Sequence, residues 1–178
     1  MRQYLDLLGD ILARGAVKEQ RAVLADGSRL KTRALFGCQV RYDLRAGFPL
    51  VTTKRVHFNG IVAELAWFLT GSTNCNDLKA LGCGIWNEWA MPDGDLGPIY
   101  GKQWRNWQGP QGPVDQVARL VEGIREVVRT PTASVGRRLI LTAWNPADMP
   151  EPRPVGSPPL PPVGCHTLSQ YDVTDGRL

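Results

Sequence analysis

At 178 residues, 43% of them hydrophobic and 21% charged, the chain is long enough for one domain, 1–178, with its own core. A net charge of +4 carried by scattered lysines and arginines leaves no nucleic-acid stripe, although a small phosphate-bearing partner would suit local arginines. No apolar run reaches the roughly 18 residues of a membrane span, and acidic residues interrupt the amino-terminal apolar stretch, so no membrane partner and a cytoplasmic location are expected.

In chain order, Tyr4, Leu7, Leu8, Ile11 and Leu12 recur at helical spacing, with Gly15 as the stop. From Phe36 to Tyr42 the period falls to two, which predicts a half-buried strand. Ile61 to Leu69 is apolar almost all round and reads as a central helix, with Glu64 as its anomaly. Val114, Val117, Leu120, Val121, Ile124, Val127 and Val128 form the stripe of another helix, opposite Asp115, Arg119, Glu122 and Glu126. Leu139 to Trp144 and Thr167 to Val173 read as strands, and Pro146 to Gly164, with 8 of the 14 prolines, as an enlarged loop between them. Thr174-Asp175-Gly176-Arg177 is a hairpin signal with almost no chain after it, so the sequence is expected to stop inside a sheet. The whole predicts an α+β design.

The chemistry concentrates near the end. Cys165 precedes His166, and the doublet Arg137-Arg138 lies upstream. Cationic neighbours lower a cysteine's pKa from about 8.5 and raise its thiolate fraction. Guanidinium forks also match phosphate oxygens. The bare pattern reads as covalent attack on something phosphorylated, and its bland counterpart is an inert buried thiol. Cys38, Cys75 and Cys83 keep that bland reading. With only two histidines and no zinc-ligand spacing, neither a metal site nor a disulfide framework is indicated.

Six strings widen this view: FPLVTTKR (Phe48 to Arg55), AELAWFLTGSTN (Ala63 to Asn74), IWNEWA (Ile85 to Ala90), GDLGPIYGKQWRNW (Gly94 to Trp107), GRRLILTAWNP (Gly136 to Pro146) and GCH (Gly164 to His166). In this order the chain resembles the thymidylate synthase family over nearly its whole length. The resemblance implies a mixed sheet packed with helices, the sheet forming a homodimer interface. It implies C5 methylation of a pyrimidine nucleotide, dUMP to dTMP, with 5,10-methylenetetrahydrofolate as co-substrate and no metal. Cys165 matches the nucleophile that adds to C6, and His166 the histidine ordering the adjoining hydrogen bonds. Glu64 matches the water-mediated proton relay, an apolar setting being one in which a carboxyl exchanges protons near neutral pH. Tyr100 matches the tyrosine that assists proton removal from C5.

By the same resemblance Arg21, Arg137 and Arg138 are phosphate ligands, the doublet coming from the other subunit. Ile85, Trp86 and Trp89 form a wall against the folate rings that excludes water, and Lys54 and His57 stand at the mouth of the site. Two stretches depart from the family. Arg21 to Gly37 lacks the short Gly/Thr-rich phosphate loop, leaving Arg29 or Arg33 as substitutes for Arg21, and the Pro-rich loop 146–164 is enlarged. Related chemistries stay open: hydroxymethylation of dUMP, dCMP or CMP, methylation of dCMP, or a non-catalytic nucleotide- or RNA-binding relative.

Overall fold

The structure, a computed structural model, describes residues 2–149, 151 and 163–178, with Arg21 described through its backbone alone. The bulk of the expected Pro-rich loop, 150 and 152–162, lies outside the described residues. The chain forms two compact units, Met1–His57 and Phe58–Leu178.

In the first unit, helix α1 (Arg2–Arg14) ends where expected. The Gly15 N–H donates to the Ile11 carbonyl at 2.9 Å, and a Cβ at Gly15 would run into that same oxygen. Strands β1 (Ala16–Val23) and β2 (Arg29–Ala34) pair antiparallel, a hairpin unforeseen from the sequence. Its turn is built locally: the Asp26 carboxylate accepts from the Ser28 N–H and hydroxyl at 2.9 and 2.6 Å, and Gly27 takes φ +82°. The strand expected from Phe36 to Tyr42 does not form. Phe36 is fully exposed, and alternation yields a strand only where a neighbour supplies the ladder and a core covers one face.

The second unit holds α2 (Phe58–Thr70), α3 (Cys75–Ala80), α4 (Tyr100–Arg105) and α5 (Gln116–Arg129) with short strands β3 (Trp107–Gly109), β4 (Gly112–Val114), β5 (Ile140–Thr142) and β6 (Leu168–Gln170), α4 and α5 packing on the strands. Asp115, expected on the polar face of α5, caps it instead, its carboxylate accepting from the Ala118 N–H at 2.9 Å, and Val114, expected in the stripe, lies in β4. The helix turns Leu120, Gly123 and Val127 inward but leaves Val121 and Val128 about half exposed. β5 and β6 pair antiparallel as the two strands expected there, with Leu139, Leu141 and Ala143 alternating into the core. The Thr174–Arg177 turn forms as read, Asp175 and Gly176 both at positive φ (52° and 70°), which matches a tight type I′ turn.

Two further expectations are corrected. α2 is not buried all round: Gly60, Trp67 and Phe68 face the core, whereas Ile61, Val62 and Leu65 are 44–51% exposed, because α3 and α4 pack on one side only. In place of a mixed sheet, the described residues form three separate two-stranded antiparallel sheets, since each strand pairs with one neighbour. The α+β class stands. Among the described residues no helix is long and apolar enough to cross a membrane.

Candidate active site

The core of the second unit is aromatic at its centre, and the candidate site is assembled on it. Helix α4 begins at Tyr100, and Gly101 allows it to sit close to the turn after α2: a Cβ there would lie 2.5 Å from the Ser72 carbonyl oxygen. Tyr100 is 5% exposed, its ring 4.6 Å from Phe68, with Trp104 and Trp86 edge-on at 5.9 and 6.3 Å. Such offset and edge-on pairs add to what burial alone supplies.

The Tyr100 hydroxyl reaches the turn that carries the nucleophile candidate. Its Oη accepts from the Cys165 N–H at 2.6 Å and from the His166 N–H at 3.4 Å, and the His166 ring stands edge-on at 5.5 Å. Gly164 makes this approach possible, because a Cβ there would fall 2.9 Å from the Ala143 Cβ and push the turn away from the residues after β5. Cys165 is exposed, its thiol donating to the Val163 carbonyl at 3.6 Å. Burial is the chief cause that pushes the Tyr100 phenol above its ordinary value of about 10. The two backbone N–H donors pull the other way, and the facing Cys165 side chain adds to the rise.

Glu64 joins the same cluster from α2. Its carboxylate accepts from Trp86 Nε1 at 2.7 Å, and the buried Trp86 ring packs 6.2 Å from Phe68. Glu64, Trp86, Tyr100, Cys165 and His166, separated by as many as 102 residues in sequence, thus adjoin a single aromatic cluster centred on Phe68.

The expected folate wall divides. Ile85 and Trp89 are 59% and 36% exposed and offer apolar surface to a ring system, whereas Trp86 is turned inward onto Glu64. Arg137 and Arg138 end an exposed 3₁₀ turn (Ser134–Arg138). Arg138 borders a groove of about 690 Å³ beside Trp107 and Leu120, and Arg137 a smaller one of about 380 Å³ beside Asp172. Among the described residues neither groove is lined by Cys165 or Tyr100.

The remaining candidates belong to the first unit. Arg21 lies in β1, where pairing steps irregularly between Glu19 and Val23. Arg29 and Arg33 donate to the Gln20 and Leu12 carbonyls at 3.5 and 3.1 Å, and Lys54 and His57 are exposed on irregular chain. Sequence reasoning missed Phe68 and Gly164. Phe68 sits one turn after Glu64, a spacing that could have flagged it. Gly164 could be read only once Ala143 was known to lie opposite.

The thymidylate synthase family model matches residues 2–178.

Proposed function

The chain belongs to the thymidylate synthase family, and on that premise we propose that it transfers a one-carbon unit to C5 of a pyrimidine nucleotide through a covalent adduct on Cys165. Family membership supports C5 methylation or a related pyrimidine modification, and the reading adopted is dUMP to dTMP. The observation that carries it is the pair of backbone N–H groups of Cys165 and His166 on the buried Tyr100 hydroxyl. That contact puts an exposed thiol beside a phenol held in its neutral form.

In this mechanism the Cys165 thiolate adds to C6, forming a C–S bond and moving electron density to C5, which becomes nucleophilic. The C5 proton passes to a water that the neutral Tyr100 hydroxyl positions, and Glu64, oriented by Trp86, relays protons through water. His166 orders the adjoining hydrogen bonds. Elimination of the thiolate from C6 completes turnover. When bound, 5,10-methylenetetrahydrofolate supplies the one-carbon unit and the hydride. Exposed Ile85 and Trp89 fit its ring system and buried Trp86 helps to exclude water, while Lys54 and His57 are assigned to folate placement by family resemblance alone. Arg21 holds the nucleotide phosphate, together with Arg137 and Arg138 of a second copy in a homodimer. That neither groove beside the doublet is lined by Cys165 is consistent with that arrangement.

The test is the product mass after incubation with methylenetetrahydrofolate and dUMP, dCMP or CMP. Replacement of one hydrogen by methyl on dUMP is the expected result, with none in Cys165→Ser. A hydroxymethyl product would reassign the reaction, methylated dCMP the base, and turnover by Cys165→Ser would overturn the covalent step. Sedimentation as monomer alone at assay concentration would remove the role given to Arg137 and Arg138.

A further inference from the structure

Gln103, one turn after Tyr100 on α4, is 3% exposed, a burial that a polar side chain tolerates only with partners. Its Nε2 donates to the Pro98 carbonyl at 2.9 Å and to Asp148 Oδ2 at 2.6 Å. Asp148 ends a 3₁₀ turn (Pro146–Asp148) that follows β5. The same Oδ2 accepts from Asn145 Nδ2 at 2.7 Å, while Asn145 Oδ1 caps the turn by accepting from the Ala147 N–H at 3.1 Å. Gln116 ties this assembly to β5: its Nε2 donates to the Gln103 and Thr142 carbonyls, and its Oε1 accepts from the Thr142 N–H.

The chain leaves β5, meets α4 at Asp148, and meets α4 again at Cys165, where the backbone N–H is bound by Tyr100. Both meetings use the same helix, three residues apart. The carboxylate therefore joins the turn after β5 to the helix that carries the phenol.

We propose that Asp148 is a positioning residue, which through Gln103 sets the placement of Tyr100 against the Cys165 turn. This rests on the reading of Tyr100 and Cys165 as reacting groups. The contact needs an acceptor oxygen and not a charge, because both donors converge on one oxygen. Asn supplies such an oxygen at that place and Ala does not.

The experiment compares Asp148→Ala and Asp148→Asn. Loose placement of a group a fraction of an ångström to an ångström away lowers turnover by about ten- to a hundredfold. The expected outcome is that kcat drop for Asp148→Ala with KM little changed, and near wild-type kcat for Asp148→Asn. A second readout needs no substrate: the phenolate absorbance step that Tyr100→Phe removes should move in Asp148→Ala, because the N–H donors and the Cys165 side chain that act on the phenol are displaced, and stay in place in Asp148→Asn. Should wild type turn over no nucleotide while that step still moves, the proposed reaction fails and the positioning role stands. An unmoved step in folded Asp148→Ala overturns the proposal. So does equal damage from the Asn variant, which would mean that charge is what matters. Unfolding of Asp148→Ala where Asp148→Asn is folded would make the residue purely structural and overturn it too.

Discussion

Replacing Tyr100 with Phe removes one oxygen and leaves the ring on Phe68 and Trp104. That oxygen accepts from the Cys165 N–H at 2.6 Å and the His166 N–H at 3.4 Å. A neutral hydrogen bond contributes about 0.5–1.5 kcal/mol net, and the released N–H groups lie in exposed residues where water can reach them. The 3.4 Å contact adds little beside the shorter one. Stability should therefore fall by about 1 kcal/mol, or roughly 2–4 °C in Tm for a chain of this size. If the phenol takes part in removing the C5 proton, turnover should fall far more, by about 10²–10⁴, which is roughly 3–5 kcal/mol of activation free energy. The two readouts differ enough to separate a strut from a reacting group. A thermal melt and a single-turnover product assay on the same preparation measure both. Wild-type turnover in Tyr100→Phe would refute the catalytic assignment. A Tm drop of more than about 10 °C would refute the claim that the oxygen contributes little to folding.

Trp86→Phe keeps an aromatic ring but leaves Glu64 without its donor at 2.7 Å, so kcat should fall about tenfold, roughly 1.4 kcal/mol. An unchanged kcat would remove Trp86 as the orienter of Glu64. The raised Tyr100 phenol means that the folded protein keeps a proton which the unfolded chain releases. That stabilisation is fully present below about pH 10 and is lost as pH rises through the raised value. Alkaline melts should show an extra loss in wild type relative to Tyr100→Phe, and parallel curves would contradict the assignment. Gly101→Ala would force a Cβ to within 2.5 Å of the Ser72 carbonyl oxygen, costing about 1–3 kcal/mol by overpacking. Chemical denaturation should show the loss, and an unchanged midpoint would mean that α4 is free to shift.

Helix α5 and the β5–β6 pair were legible because their signals are local or end against one core: a 3.6-residue stripe, and alternation covered on one side; that Asp115 caps α5 rather than lying on its polar face was missed. Phe36 to Tyr42 carries equally clean alternation, yet a strand also needs a partner, and a period of two names none. The hairpin of β1 and β2 was missed for the opposite reason. Its strands carry Lys18, Arg29, Lys31 and Arg33 and bury little, so no hydrophobic period announces them, and the Asp26-Gly27 turn was the one available sign. α2 shows that an apolar segment reports what a helix can cover, not what has been packed against it.

Residue types that carry chemistry could be named from strings, but the contact joining them could not. The Tyr100 bond is donated by backbone N–H groups, which residues 165 and 166 would offer whatever their side chains, except proline. Side-chain identity at position 165 is therefore uncoupled from its placement. Cys165→Ser should keep the turn on Tyr100 while removing the thiol, making it a clean probe of the covalent step. Gly164 behaves in the reverse way: it has no chemistry to lose, yet any side chain there meets Ala143 Cβ at 2.9 Å and displaces the nucleophile. A Gly164→Ala protein that alkylates at Cys165 but no longer turns over would mark placement against the phenol, rather than thiol reactivity alone, as what this turn contributes.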